Sequence, residues 1–491
     1  MFVAIPLQLT FAAMGEAAGG YDSTAVNPRT GRYTDAPVAA LAVDGQVTHE
    51  GDRVRQFLRD RAEVMYAGTG GRDPLDSDVF NLTRYSLIWQ PNEVWSFHTD
   101  ATYAIGSPTL FFSRAGRPDV QFARRGLAFP RQLIADYNVR QDAVVQPDEL
   151  NLFQADVIVA GRYPVTRMPR GQNMFTPSAT LQWVHEFTPE NQGLAGVRGE
   201  YLSLELFRPV WVTQGFVGWT HRFDETFNAF VEGGLTVVQE NVGNDAWDAQ
   251  PFFRARAYKR FDRQRLILGA SYEHTFGVVS ATLGTGALDI ANVTAWWMPG
   301  SWRFLVFGDV GFQHGLGFDP ATQQPLEADF MNATVGVRYS INPYFRVFAR
   351  YEFQWETGTS YALSGAPDFV RHLAIAGVQI AFGTDDIAVA SVLPVDEMQA
   401  LETLDTGANV AGPTLPARIV DDPHDEPRRR RTRVPGDPAR DGAQPTPSDP
   451  WEQQRLPGDQ TETPGDRSPQ DPVDPFARPD EEHEQQNEDD R

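Results

Sequence analysis

The sequence predicts an all-β fold, an antiparallel up-and-down transmembrane β-barrel of about 18 strands, from three observations. Segments of alternating apolar and polar residues recur through residues 1–383, short turn signals separate them, and aromatic residues gather beside those turns. Successive side chains of a strand point to opposite faces, so each segment has one apolar and one polar face. Closing such strands into a cylinder leaves no open edge and satisfies every backbone group.

The stretch VGVRYSINPYFRVFARYEFQWE, residues 335–356, shows the alternation most clearly. It predicts two strands around a tight turn, with apolar residues from Phe345 to Trp355 on one face and Arg346, Arg350 and Glu352 on the other. A single hairpin of this kind also fits a soluble sandwich. About eighteen such strands would need two very large sheets with open edges, so we favour a barrel with lipid outside and water inside.

Short turn signals give the strand count. They are EGDR at 50–53, QPNE at 90–93, QPDE at 146–149, TPEN at 188–191, FDET at 223–226, FDRQ at 261–264, PGSW at 299–302 and NPY at 342–344. Eight hairpins make sixteen strands, and an N-terminal strand plus a last strand at 369–382 make eighteen. Sixteen strands remain an alternative, because the count rests on spacing. The connections at the opposite end are expected to be longer and polar or Gly-rich.

The chain divides into two parts of different composition. Of the 491 residues, those from 384 to 491 contain 26 acidic and 11 basic side chains and 16 of the 36 prolines. We therefore expect a β-barrel over 1–383 and a disordered, acidic, Pro-rich tail over 384–491, with a possible short helix around 387–404. The basic run at 428–433 has acidic neighbours and no aromatic platform, so it does not predict nucleic-acid binding.

A secretory signal has a basic residue ahead of its apolar part. The N-terminal segment MFVAIPLQLTFAAMGEAAGG has none. Its alternation predicts a first strand instead, and we expect a signal peptide to lie upstream of Met1.

Two sets of residues follow from the alternation and the turns. The predicted lumen-lining residues are Arg254, Arg256, Arg260, Arg303, Arg338, Arg346, Arg350, Glu232, Asp309, Glu352 and Glu356. The predicted aromatic girdle at the short-turn end consists of Trp89, Trp95, Phe187, Phe223, Phe227, Trp297, Trp302, Tyr344 and Phe345. Arg and Glu on neighbouring strands are expected mainly to pair and hold register, while the arginines together favour anionic solutes.

Neither an enzyme nor a cofactor is predicted. There is no cysteine, and the histidines of the barrel are scattered singly without the spacing of a metal site or a nucleophile elbow. Sequence alone leaves open a triad assembled across strands.

Units such as SATLQWVHEFTPENQGLAGVRGEYLSL and VGWTHRFDETFNAFVEGGLTVV, with the terminal strand LAIAGVQIAF, resemble Gram-negative outer-membrane β-barrels. More loosely, they resemble the beta-barrel porin 2 family, which is often associated with exopolysaccharide gene clusters. The resemblance covers residues 1–383 and implies an outer-membrane location. It also implies that the strand ending at Phe382 is recognised by the barrel assembly machinery, although here a long tail follows it.

Two functions of different classes are compatible with these features. The preferred one is an outer-membrane channel that passes solutes or exported polysaccharide through a charged aqueous lumen. The alternative is a non-conducting barrel that anchors or docks envelope partners through its loops and tail. In either case the expected partners are outer-membrane lipid and, for a tail lying in the periplasm, another envelope component.

Overall fold

The structure is a computed structural model of the 491-residue chain. It describes residues 8–26, 33–51, 53–68, 77–107, 133–165, 173–205, 207–224, 226–240, 247–261, 265–280, 284–299, 303–318, 325–358 and 369–384. Apart from Thr384, the predicted tail with its short helix lies outside the described residues, as does Trp302.

Eighteen strands make up the described part of the chain. They are β1 (Gln8–Val26), β2 (Tyr33–Gly51), β3 (Val54–Ala67), β4 (Ser77–Trp89), β5 (Trp95–Gly106), β6 (Ile134–Val145), β7 (Asn151–Pro164), β8 (Met174–Thr188), β9 (Asn191–Leu204), β10 (Val210–Asp224), β11 (Phe227–Glu240), β12 (Trp247–Phe261), β13 (Leu266–Ser280), β14 (Gly284–Trp297), β15 (Phe304–Phe318), β16 (Pro325–Ser340), β17 (Phe345–Gly358) and β18 (Phe369–Gly383).

The strands form one closed antiparallel sheet. Each pairs with its neighbours in chain order, and β18 pairs with β1 from Ala12↔Gly383 to Asp22↔Leu373. The predicted fold class and the count of eighteen are confirmed, and the alternative of sixteen is excluded. The strand that the QPDE turn signal requires ahead of it is β6.

One recurring device closes three of the short turns. The side-chain oxygens of Asn92, Asp148 and Asn342 each accept hydrogen bonds from the N–H groups two and three residues ahead, at 2.7–3.0 Å. A short Asx side chain mimics a backbone turn in this way, which explains why the QPNE, QPDE and NPY signals mark strand ends.

The opposite end of the barrel departs from expectation at two places. We expected long connections there, but only residues 205–209 separate β9 from β10 and only residues 281–283 separate β13 from β14.

The two faces of the sheet have opposite chemistry. The outward face exposes apolar side chains such as Leu41 (66% exposed) and Val217 (64%), whereas the inward face buries Asp44 (0%), Arg61 (1%) and Glu63 (2%). We call these faces the outer wall and the inner wall. The apolar side of the 335–356 hairpin faces outward and its charged side faces inward, as its alternation predicts.

No helix in the described ranges is long and apolar enough to cross a membrane.

Candidate functional site

The lumen enclosed by the inner wall is the candidate site. Ten of the eleven predicted lumen residues lie on strands and share the face that carries the buried charges: Glu232, Arg254, Arg256, Arg260, Asp309, Arg338, Arg346, Arg350, Glu352 and Glu356. The eleventh, Arg303, is exposed in the turn before β15. The alternation therefore places these side chains together around one cavity rather than in one cluster.

Arg254 of β12 joins carboxylates from both neighbouring strands. Its Nε donates to Glu273 Oε2 of β13 at 3.0 Å, and its Nη1 lies 3.7 Å from Glu232 Oε1 of β11. These contacts match the strand registers Glu232↔Arg254 and Arg254↔Glu273. The same residues that charge the lumen thus also hold the register of three strands.

A second ion-pair group, on β1–β3, did not figure among the predicted lumen residues. Arg61 Nη2 lies 3.0 Å from Glu63 Oε2 and 3.6 Å from Glu16 Oε1, and Arg59 is paired with Asp44. All five side chains are buried. The sequence does contain a signal for this group: in VRQFLRDRAEVMYA, alternation places Arg59, Arg61 and Glu63 on one face of the strand.

The short-turn mouth of the lumen is basic. Five arginines of the inner wall lie within two residues of a strand end there: Arg55, Arg222, Arg260, Arg338 and Arg346. Among the described inner-wall residues at that level, the carboxylates are Glu50 and Glu186. Guanidinium groups at a channel entrance attract anions and repel cations.

The inner wall also carries apolar clusters that the sequence analysis did not anticipate. Along β6–β12, one cluster consists of Val144, Leu152, Val184, Leu194, Phe216, Phe230 and Phe252. A second, on β2–β5 and β18, includes Phe80, Leu82 and Leu373. These residues fill part of the cross-section, so the lumen is not lined by charge alone.

A serine, a histidine and two aspartates meet on β4–β6. Ser86 Oγ lies 3.1 Å from His98 Nε2, and His98 Nδ1 lies 3.6 Å from Asp142 Oδ2. His98 Nε2 is also 3.0 Å from Asp100 Oδ2. Because this nitrogen already faces a carboxylate, it is not placed to accept the proton of Ser86 as a triad base must. The geometry does not support nucleophilic catalysis here.

No group of three or more His, Asp or Glu side chains suited to a metal ion occurs among the described residues.

On the outer wall, the predicted girdle residues lie near the short turns. Trp89, Trp95, Phe187, Phe223, Trp297 and Tyr344 are each more than 40% exposed, and Phe227 and Phe345 lie beside them at strand starts. Ring contacts link them to neighbouring strands and turns, for example Trp89 with Phe97 at 5.3 Å between centroids and Phe223 with Phe227 at 4.6 Å. Aromatic rings at one level fit the interface between lipid and water.

The upper limit of the apolar band is marked by a polar row on the outer wall. His274, Asp289, His314 and Asp329 are register partners across β13–β16, with His274 Nδ1 2.9 Å from Asp289 Oδ1 and His314 Nδ1 2.7 Å from Asp329 Oδ1. His274 lies eight residues above the first residue of β13. At about 2.6 Å of height per residue for a tilted strand, this is ~21 Å, close to the apolar band of membrane barrels.

No family model matches this chain, and no curated protein matches it. Solved structures that are similar include the FrpB iron transporter from Neisseria meningitidis (F3-3 variant), at 7% identity and a TM-score of 0.41 over 76% of this chain and 82% of that chain. They also include Acinetobacter baumannii OccAB3, at 10% identity and 0.38 over 76% and 99%. The outer membrane protein opdK from Pseudomonas aeruginosa matches at 10% identity and 0.36 over 76% and 99%. Structural similarity at this level gives no information about what the chain binds.

Proposed function

We propose that this protein is an outer-membrane channel that passes small solutes, with a preference for anions set at its short-turn mouth. The observation that carries the proposal is the separation of the two walls: ion-paired and basic inside, apolar between an aromatic girdle and a polar row outside. An apolar exterior of this height fits a bilayer, and a charged interior fits water.

The preference for anions rests on the basic mouth rather than on the whole lumen. Deeper in the barrel, arginines such as Arg61 and Arg254 are matched by carboxylates within 4 Å, so their fields largely cancel. At the mouth the guanidinium groups outnumber the carboxylates. Among the described inner-wall residues, a permeating ion therefore meets net positive charge at this mouth.

The test is single-channel recording of the full chain in planar bilayers under a salt gradient. Wild type is expected to show stable conductance steps with a reversal potential on the anion side. Arg222→Glu is expected to shift that potential towards cations, because this side chain is exposed at the mouth. Lys259→Glu is the matched control: it reverses a charge at the same height on the outer wall and is expected to change nothing.

The preference for anions is argued from the charge at the mouth, not from the resemblance. Polysaccharide cargo stays a prediction based on the sequence pattern of the exopolysaccharide-associated family. The same holds for recognition of the strand ending at Phe382 by the assembly machinery and for a periplasmic partner of the acidic tail.

A second candidate is the non-conducting barrel that docks partners. The apolar clusters on the inner wall favour this candidate, since Leu373, Phe80 and Phe230 face the inside of the barrel and are buried from solvent there. If the folded protein inserts into bilayers and never conducts, the docking function replaces the channel.

A further inference from the structure

The β13–β14 hairpin leaves the barrel wall at its loop-side end. Val278 and Val279 are adjacent in β13, so their side chains point to opposite faces, yet they are 2% and 4% exposed. In the wall itself one of two such neighbours would face outward, as Leu266 and Leu268 do lower in the same strand. Burial on both faces means that this part of β13 lies inside the lumen.

The contacts of the two valines show what encloses them. Val278 packs into a cluster on the inner wall of β8–β11, with Met174, Leu202, Val212 and Val238. Val279 packs in a different cluster, with Leu288 of β14 and Ala328 of β16. The hairpin is therefore held between two sectors of the inner wall.

A hydrogen bond across the lumen gives the same placement. Gln214 Nε2 of β10 donates to Thr275 Oγ1 of β13 at 3.1 Å. These strands are three positions apart in the sheet, which along the wall corresponds to about 14 Å at ~4.8 Å per strand. The side chains alone do not span that distance, so the backbone at Thr275 has moved inward.

Pro251 explains why β13 separates from β12. The two strands pair from Phe253↔His274 to Phe261↔Leu266, and no further pairing between them occurs in the described residues. Arg260 donates its N–H to the carbonyl of Thr226, directly before β11, so even-numbered residues of β12 bond to β11 and odd-numbered residues to β13. The next bonded pair would join Pro251 to Phe276, and proline has no N–H to give.

Pro177 in β8 shows the same effect on a smaller scale. By the same alternation, its missing N–H faces β9, because Glu186 donates its N–H to the carbonyl of Leu150, directly before β7. The β8–β9 register omits positions 176 and 177 and then resumes with Met174↔Leu204 and Phe175↔Ser203. At Pro251 the ladder does not resume, and a whole hairpin is released.

A glycine pair allows the released hairpin to bend. Gly277 and Gly286 are register partners across β13 and β14. A Cβ at Gly286 would collide with the carbonyl of Leu316 in β15, so the backbones approach closely at this point. Beyond it, Gly284 adopts a φ of +73° and lies against the ring of Phe207, in the connection between β9 and β10.

From these observations we propose that the inward parts of β13 and β14, residues 275–280 and 284–288, form a gate of the loop-side mouth. Its inward position, fastened by Gln214 and the cluster around Val278, narrows the lumen. Release of the hairpin from Gln214 widens the lumen. The missing ladder to β12 leaves the hairpin attached to the wall mainly through β14 and β15, so it can swing without breaking the barrel. This inference rests on the proposed channel function.

The test is a reversible cross-link in the full chain, which has no native cysteine to interfere. Gln214→Cys/Thr275→Cys is treated with a short bis-methanethiosulfonate reagent, which joins the two thiols and is removed by reduction. Gln214→Cys/Thr236→Cys is the matched control, because Gln214 and Thr236 are partners within the wall and Gln214 also donates to Thr236 Oγ1 at 3.1 Å. Cross-link yield is measured by mass spectrometry and openings by single-channel recording.

We expect the hairpin variant to cross-link, to lose its largest openings while cross-linked and to regain them on reduction, while the control conducts equally in both states. Failure to cross-link would overturn the inward placement. Complete cross-linking with unchanged openings would overturn the gate and leave the channel standing. A protein that cross-links and never conducts, reduced or not, would overturn the channel and the gate with it.

Discussion

Arg371 of β18 and Asp22 of β1 form a buried ion pair across the strands that close the barrel, with Arg371 Nη2 2.7 Å from Asp22 Oδ2. Arg371 Nε also donates to the same oxygen at 3.1 Å. Removing one partner of such a pair leaves an uncompensated buried charge and costs about 3–5 kcal/mol. When samples are heated to a series of temperatures and then run on gels, we expect Arg371→Leu to lower the temperature at which the folded band gives way to the unfolded one.

Two further variants separate the ion pair from a general loss of packing. Asp22→Leu/Arg371→Leu removes both charges and is expected to recover much of the loss. Arg198→Leu, which disrupts a more exposed pair at 3.5 Å from Glu200, is expected to cost under about 1 kcal/mol. Equal shifts for Arg371→Leu and Arg198→Leu would contradict the role of the closing pair.

The outer wall gives a prediction about lipid contact. Val231 lies in the apolar band of β11 and is 48% exposed. An arginine on the lipid face near the bilayer midplane costs about 2–4 kcal/mol, falling to about 0–1 kcal/mol near the interface. Val231→Arg should therefore reduce folding yield into lipid vesicles, while Tyr344→Arg, in a short turn, should leave it nearly unchanged. Equal yields for the two variants would argue against a bilayer around this wall.

Much of the architecture followed from the sequence because one physical rule governs it. Alternation sets which side chains face inward, so residues as far apart in sequence as Glu232 and Glu356 fall on the same wall without any long-range information. The Asx residues of the short turns likewise act locally. This is why the number of strands, the positions of the turns and the inward-facing arginines can be predicted from a single sequence.

The departures arise where neighbours decide the outcome. Phe216 and Phe230 share the inward faces of Gln214 and Glu232, so alternation places them inside, but it does not show that they pack with side chains of other strands into an apolar cluster. The inward hairpin has visible signals in Pro251 and Gly286. Their effect on the hairpin depends on which neighbouring strand each residue faces, and this is known only once the strand register is known.

A turn residue outside the strands gives a prediction about pH. Hydrogen bonds from the Asn151 side chain and from the backbone of Leu150 hold the pKa of Asp148 below its ordinary value. A lowered pKa means that the charged carboxylate stabilises the folded turn above the unfolded pKa, and that this stabilisation is lost as pH falls through the folded one. In detergent micelles, the acid titration of the Leu150 amide resonance should have a low midpoint. Asn151→Ala should raise that midpoint and Glu149→Ala should not. A midpoint unaffected by Asn151→Ala would assign the shift to another group.

The missing donor at Pro251 leads to the last prediction. Pro251→Val supplies an N–H directed at β13 and a side chain that fits a strand, so the β12–β13 ladder can extend to Phe276. Pairing there competes with the inward position of the hairpin, and we expect the variant to spend more time in its largest conductance level than wild type does. Pro177→Val is the matched control, since the β8–β9 ladder already resumes beyond it and no hairpin is released. Recordings in which Pro251→Val and Pro177→Val behave alike would show that the proline does not set the hairpin's position.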